Sequence, residues 1–155
     1  MNPLKNELIG AWRLLSFIEI PVSGGDSCFP LGKSPKGILI YGPNGFMSLQ
    51  ISASEELRTE ADKKSMDFMG FSGKYTVDNH HGCVNYFIET SSSLHQENTR
   101  HVKKIDFEGD VLYQKSIEPI SSNGQLIHAY MTWKRIEKEN DDDMLQTEQL
   151  VHFEV

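Results

Sequence analysis

The sequence predicts an all-β protein, an eight-stranded up-and-down antiparallel β-barrel with one or two short helices. Three observations carry this. Eight short runs alternate apolar with polar residues, as strands do when one face is buried and the other meets water. Gly, Pro and Asn punctuate the runs at spacings that keep each connection local. Successive strands then pair as hairpins without crossovers, so the eighth is free to close against the first, and a closed sheet needs one interior and one exterior set of side chains.

The first strand covers about residues 8–20, with Trp12, Leu14, Ser16, Ile18 and Ile20 on one side and Arg13 and Glu19 on the other. Residues 21–36 are rich in Gly, Ser and Pro and read as a surface loop. Residues 37–41 and 46–51 flank Gly42-Pro43-Asn44-Gly45, where Pro presets one dihedral and Asn-Gly accepts positive φ, making the clearest hairpin of the chain. Alternation stops between residues 52 and 69. There Ser52 and Glu55 have capping-box spacing before a charged segment holding Leu57, Ala61 and Met69, which predicts one short helix or two.

Alternation returns at residues 71–77 and 84–90, the fourth and fifth strands. A polar excursion at residues 95–98 precedes the sixth, at 101–107. The tight turn Glu108-Gly109-Asp110 leads to the seventh at 111–117, and Ser121-Ser122-Asn123-Gly124 separates that from the eighth at 126–136. A barrel domain at residues 1–137 is therefore expected, followed by an acidic link and C-terminal segment at 138–155. The link is nearly all charged and reads as solvated. The last six residues, Leu150-Val151-His152-Phe153-Glu154-Val155, regain strand character; they extend a sheet edge, pair with a second subunit as a homodimer, or stay unordered.

Composition narrows the function classes. The chain holds 15 basic and 22 acidic residues, a net charge of −7, with no basic patch interleaved with aromatics, which argues against nucleic acid and anionic membranes as partners. The first residues are polar and lead straight into a strand, with no apolar stretch of signal-peptide or membrane-spanning length, so a soluble cytoplasmic protein is expected. The two cysteines agree with that compartment. Cys28 falls in a loop, Cys83 opens a strand, and neither has a partner at metal-ligand spacing.

The strand phases place Leu14, Ser16, Ile18, Tyr41, Met47, Leu49, Phe71 and Tyr75 on the interior, together with Tyr86, Ile88, Lys103, Ile105, Met131 and Trp133. Aromatics, flexible methionines and a few polar groups suit a pocket that packs an apolar body and orients it by one or two polar contacts. The ligand-binding set expected from this is Tyr41, Met47, Phe71, Tyr75, Tyr86, Lys103, Met131 and Trp133, with the helical segment at residues 52–69 either a lid or packed outside. The same side chains could instead simply fill the barrel.

Several motifs together resemble a known family. Gly10-x-Trp12 on the first strand and Trp133-Lys134-Arg135 on the last look like the lipocalin, or calycin, end closure, in which a Trp plugs the barrel floor and a late Arg lies across its ring. The resemblance narrows through Leu8-Ile9-Gly10-Ala11-Trp12-Arg13-Leu14, Pro30-Leu31-Gly32, Gly37-Ile38-Leu39-Ile40-Tyr41, Asn44-Gly45-Phe46-Met47-Ser48, Phe71-Ser72-Gly73-Lys74-Tyr75 and Glu108-Gly109-Asp110. Over about residues 8–136 the chain is similar to the bacterial and fungal lipocalin-like domain family. It departs where that family often has a His pair in the fifth strand, here Tyr86-Phe87, and often an Arg, here Lys103. The resemblance implies a ligand-sized cavity, and a structural role for Trp12 and Arg135 as barrel closure. A guanidinium over an indole face also keeps its charge near water while gaining about 0.5–2 kcal/mol.

No catalytic signature is present: no Gly-x-Ser-x-Gly elbow, no His-Glu-x-x-His, no phosphate loop and no dinucleotide fingerprint. No cofactor, metal or catalytic residue is therefore assigned. His80-His81 beside Asp78 reads as a solvated turn, because adjacent strand residues face opposite sides. The favoured function is binding of a small hydrophobic or amphipathic organic ligand inside the barrel. A cofactor-independent isomerase or cyclase using acid or base groups among Tyr75, Tyr86, His101 and Lys103 is the first alternative. A filled barrel serving as an interaction module through its terminal segment is the second.

Overall fold

The computed structural model describes residues 3–58, 68–122 and 124–137. A short helix α1 (Pro3–Leu8) precedes β1 (Gly10–Pro21), β2 (Lys36–Tyr41) and β3 (Phe46–Ser52). Helix α2 (Glu55–Arg58) follows, then β4 (Phe68–Asp78), β5 (Cys83–Ser91), a 3₁₀ turn (Leu94–Gln96) and β6 (Arg100–Glu108). The chain continues through β7 (Val111–Ser116), β8 (Ile120–Ser122) and β9 (Gln125–Arg135). Neighbours from β1 to β7 pair antiparallel, β7 pairs with β9, and β9 pairs with β1, so eight strands close on themselves as the sequence predicts. The extra strand β8 lies on the start of β9, beyond the point where β7 leaves it. β7 and β8 are thus one strand path interrupted at Ile117-Glu118-Pro119, where proline has no N–H to give the ladder.

Two bulges set which side chains face inward. Leu14 pairs with Trp133 and Ser16 with Thr132, leaving Leu15 extra and 51% exposed. One added residue reverses the alternation beyond it. Trp12 and Leu14 point in as expected, but past the bulge the buried positions are Phe17, Glu19 and Pro21. Ser16, Ile18 and Ile20, expected inside, are not on the buried phase, and Glu19, expected outside, is. A second bulge lies between Ser72 and Gly73 in the β4–β5 pairing. A Cβ on Gly73 would sit 2.0 Å from the Phe87 carbonyl oxygen, so the close backbone approach admits only glycine.

The Trp12 end of the barrel is sealed. The residues expected to run straight into the first strand form α1 instead, and its Leu8 is fully buried. The Trp12 indole N–H donates to the Leu8 carbonyl at 2.9 Å. The Arg135 guanidinium carbon lies 4.2 Å from the centre of the Trp12 ring, and the two terminal guanidinium nitrogens donate to the carbonyls of Ile9 and Glu7. These bonds also meet C-terminal carbonyls of a helix too short to hold itself in water.

The opposite end is built from loops. Helix α2 has four residues and starts after Ser54 rather than Ser52. The Ser54 hydroxyl accepts the Ser34 N–H at 2.7 Å, and the Ser54 N–H donates to the Leu31 carbonyl at 2.8 Å. Those bonds pin the predicted surface loop, whose Leu31 joins the core. Phe68 and Met69 belong to β4 rather than to a helical segment, and Ala61 lies outside the described residues, as do 138–155. Cys28 and Cys83 are free thiols. Among the described residues no helix is long and apolar enough to cross a membrane.

Candidate functional site

The half of the interior nearest Trp12 is packed with buried side chains, and its polar atoms bond chiefly to one another. The Trp133 indole N–H donates to the Gln114 carbonyl oxygen at 3.0 Å. The Gln114 amide nitrogen then donates to the hydroxyls of Tyr41 at 2.8 Å and Tyr86 at 2.9 Å, which also bond to each other. The Tyr75 hydroxyl donates to the Gly42 carbonyl at 2.6 Å, and its ring meets Tyr41 edge-on with centroids 5.0 Å apart. Met47 is buried in the same core cluster. Tyr41, Met47, Tyr75 and Trp133, all expected to touch ligand, do not line the interior cavity found among the described residues.

That space is a cavity of about 100 Å³ displaced toward the loop end. Phe17, Leu49, Phe71 and Met131 supply apolar wall, and Glu19, Tyr86, Lys103 and Gln114 supply the polar groups. Gln96 and Ile120 stand at its rim, beside His101. Of the expected ligand set, the structure brings Phe71, Tyr86, Lys103 and Met131 together here. Phe17 and Glu19 were hidden by the bulge. Gln114 was hidden by its polarity, although it stands in phase with buried Leu112 and Ser116, the signal that could have found it.

The ionisable groups of the cavity are unevenly provided for. Lys103 is only 8% exposed, yet among the described residues its ammonium has no hydrogen-bond partner and no carboxylate within 4.0 Å. Burial pulls its pKa down to about 8. Burial, and then the neighbouring Lys103 charge, also lower His101, whose Nε2 lies 3.1 Å from the Thr99 hydroxyl and whose ring stacks on Phe71. Tyr86 is pushed up to about 12 by burial. Glu19 is equally enclosed, but its Oε1 accepts the Ser122 hydroxyl at 2.9 Å. The Cys28 thiol lies 3.9 Å from the same oxygen and is raised by burial and then by the Glu19 charge.

A wider, more open cleft of about 540 Å³ adjoins the cavity. It forms where β6 and β7 part beyond the Lys103–Ser116 pair, between Arg100 and Val102 on one side and Ser116, Glu118 and Pro119 on the other. His101 and Ile120 line both spaces, so the cleft lies directly against the cavity. Elsewhere, Asp78 accepts the N–H groups of His80 and His81 at 3.0 and 3.1 Å and holds the His81 Nδ1 at 2.7 Å, which organises an exposed turn and lowers the Asp78 pKa.

The family model described as a lipocalin-like domain matches residues 9–136, a span that contains every strand of the barrel. The chain belongs to the lipocalin-like domain family. No curated protein matches it. Among solved structures, this lipocalin-like domain is similar to the siderocalin Ex-FABP, described as functioning through dual ligand specificities, at 8% identity and a TM-score of 0.32 over 94% of this chain and 81% of that one. In this lipocalin-like barrel the Trp12–Arg135 contact, the packed tyrosine–glutamine network and the offset cavity follow one another along the axis.

Proposed function

We propose that this lipocalin-like domain binds a small apolar or amphipathic organic molecule, one end of which occupies the interior cavity. The observation that carries the reading is the contrast between the two halves of the barrel: one is packed with buried side chains, and the other keeps an apolar-walled space with a few polar groups. Size limits the occupant. Drug-sized ligands use pockets of about 300–1,000 Å³, and a dry cavity of about 150 Å³ accepts benzene. The part inside is therefore a single ring or a short branched chain. A longer molecule extends past His101 and Ile120 into the outer cleft.

Native mass spectrometry of freshly purified protein tests this. The expected result is one small organic adduct per chain, or uptake of one single-ring compound after stripping. A bare chain that takes up none at millimolar concentration contradicts it. Cytoplasmic residence goes with the reading, supported by two thiols left unpaired.

One observation favours the acid–base alternative: Lys103 has a pKa of about 8, which lets it exchange a proton near neutrality beside His101 and Tyr86. Catalysis predicts that Lys103→Met abolishes turnover of a bound compound without releasing it, whereas simple binding predicts a change in affinity alone. The interaction-module alternative rests on residues 150–155, which lie outside the described residues.

A further inference from the structure

We infer that the cavity selects ligands carrying a carboxylate, held between the Lys103 ammonium and the Tyr86 hydroxyl; this rests on the ligand-binding reading above. The first half of the argument is the ammonium itself. A charge removed from water is retained only where an opposite charge or hydrogen bonds replace its hydration. Lys103, whose side chain lines the cavity, has no hydrogen-bond or carboxylate partner among the described residues, so only the little solvent that reaches its nitrogen compensates the charge. A bound anion is the missing partner.

The second half is a count of hydrogens. The Trp133 indole can only donate, so the Gln114 oxygen must face it and both Gln114 N–H groups must face the tyrosines. Tyr41 and Tyr86 bring two hydroxyl hydrogens, and the bond between them uses one. The other has no acceptor inside the network. Tyr41 does not line the cavity and Tyr86 does. The balance closes when Tyr41 donates to Tyr86 and Tyr86 aims its own O–H into the cavity. Val84, two residues from Tyr86, pairs with Lys103 across β5 and β6, which sets the two donors diagonally on one patch of wall.

A carboxylate meets both donors with its two oxygens. A neutral carbonyl would leave the ammonium uncompensated, and a phosphate brings more hydrated oxygen than a cavity of about 100 Å³ with mostly apolar walls can serve. The remaining charged or titratable groups are accounted for. Glu19 lies on β1, separated from β6 by β7 and β9 around the barrel, and is engaged by Ser122. His101 adds positive charge only on the acid side. In the adjoining cleft Arg100 and Glu118 oppose each other in sign.

Titration of the whole protein by NMR, using benzoate and butyrate against their neutral analogues benzamide and butyramide, tests the inference. At pH 7 each carboxylate is expected to bind about tenfold or more tightly than its amide. Lys103→Met should bring the acid-to-amide affinity ratio close to one, and Tyr86→Phe should weaken the acids several-fold. In the wild type, carboxylate affinity should hold from pH 6 to 7 and fall as pH rises beyond the Lys103 range, while amide affinity stays level. Equal binding of acid and amide by the wild type overturns the head-group assignment and leaves the ligand reading standing. Failure of all four probes to bind overturns both. The wild-type ratio and its pH profile decide the matter even if a variant does not fold.

Discussion

Lys103 is a residue whose environment opposes its charge, and that opposition is measurable as stability. Its pKa is about 8 when folded and near 10.5 when exposed, so between those values the unfolded chain binds a proton that the native state lacks, and stability rises with pH across that window. Below it both states are charged and the desolvation penalty is fully in force. Lys103→Met should therefore stabilise the protein at pH 7, by about 2–3 kcal/mol at most, or about 2–4 °C of Tm per kcal/mol. The advantage over wild type should shrink by pH 10. Differential scanning calorimetry at both pH values checks it. Gln114 behaves oppositely, because it completes bonds to three buried partners. Gln114→Leu strands the Trp133 indole N–H and should destabilise by about 2–4 kcal/mol in urea unfolding, a loss no apolar contact restores.

At the scale of elements, the bulges and the end closure decide the geometry. Gly73→Ala places a methyl against the Phe87 carbonyl and should destabilise by about 3 kcal/mol, read from the urea midpoint, because backbone must move. Arg135→Ala removes both the ring contact and the bonds to the Glu7 and Ile9 carbonyls, and should cost about 1–2 kcal/mol with faster amide exchange in residues 5–9. The strands were legible because alternation and turn residues are local properties. The phase after Leu14 was not, since a bulge is a property of the β1–β9 pair and no single strand announces it. Helix α1 was missed for a related reason. Six residues have no periodicity to read, and Leu8 is held by the barrel it covers.

For the whole molecule, inward phase and cavity wall proved to be different things. Tyr41, Met47, Tyr75 and Trp133 face inward as alternation predicts, but alternation reports the face of a strand and says nothing of the level along the barrel axis. Level depends on how strands stagger round the closure, and there the network around Gln114 fills one half while Phe71, Tyr86, Lys103 and Met131 reach the other. The methionines report on both levels at once. Met69 and Met131 line the cavity, and Met47 sits in the packed half. Methyl NMR of protein labelled at the methionine methyls, titrated with toluene, therefore tests the offset cavity directly. The account predicts saturable shifts of the Met69 and Met131 signals at one site per chain, with Met47 unmoved. Signals that never shift, or that shift together with Met47, would contradict it.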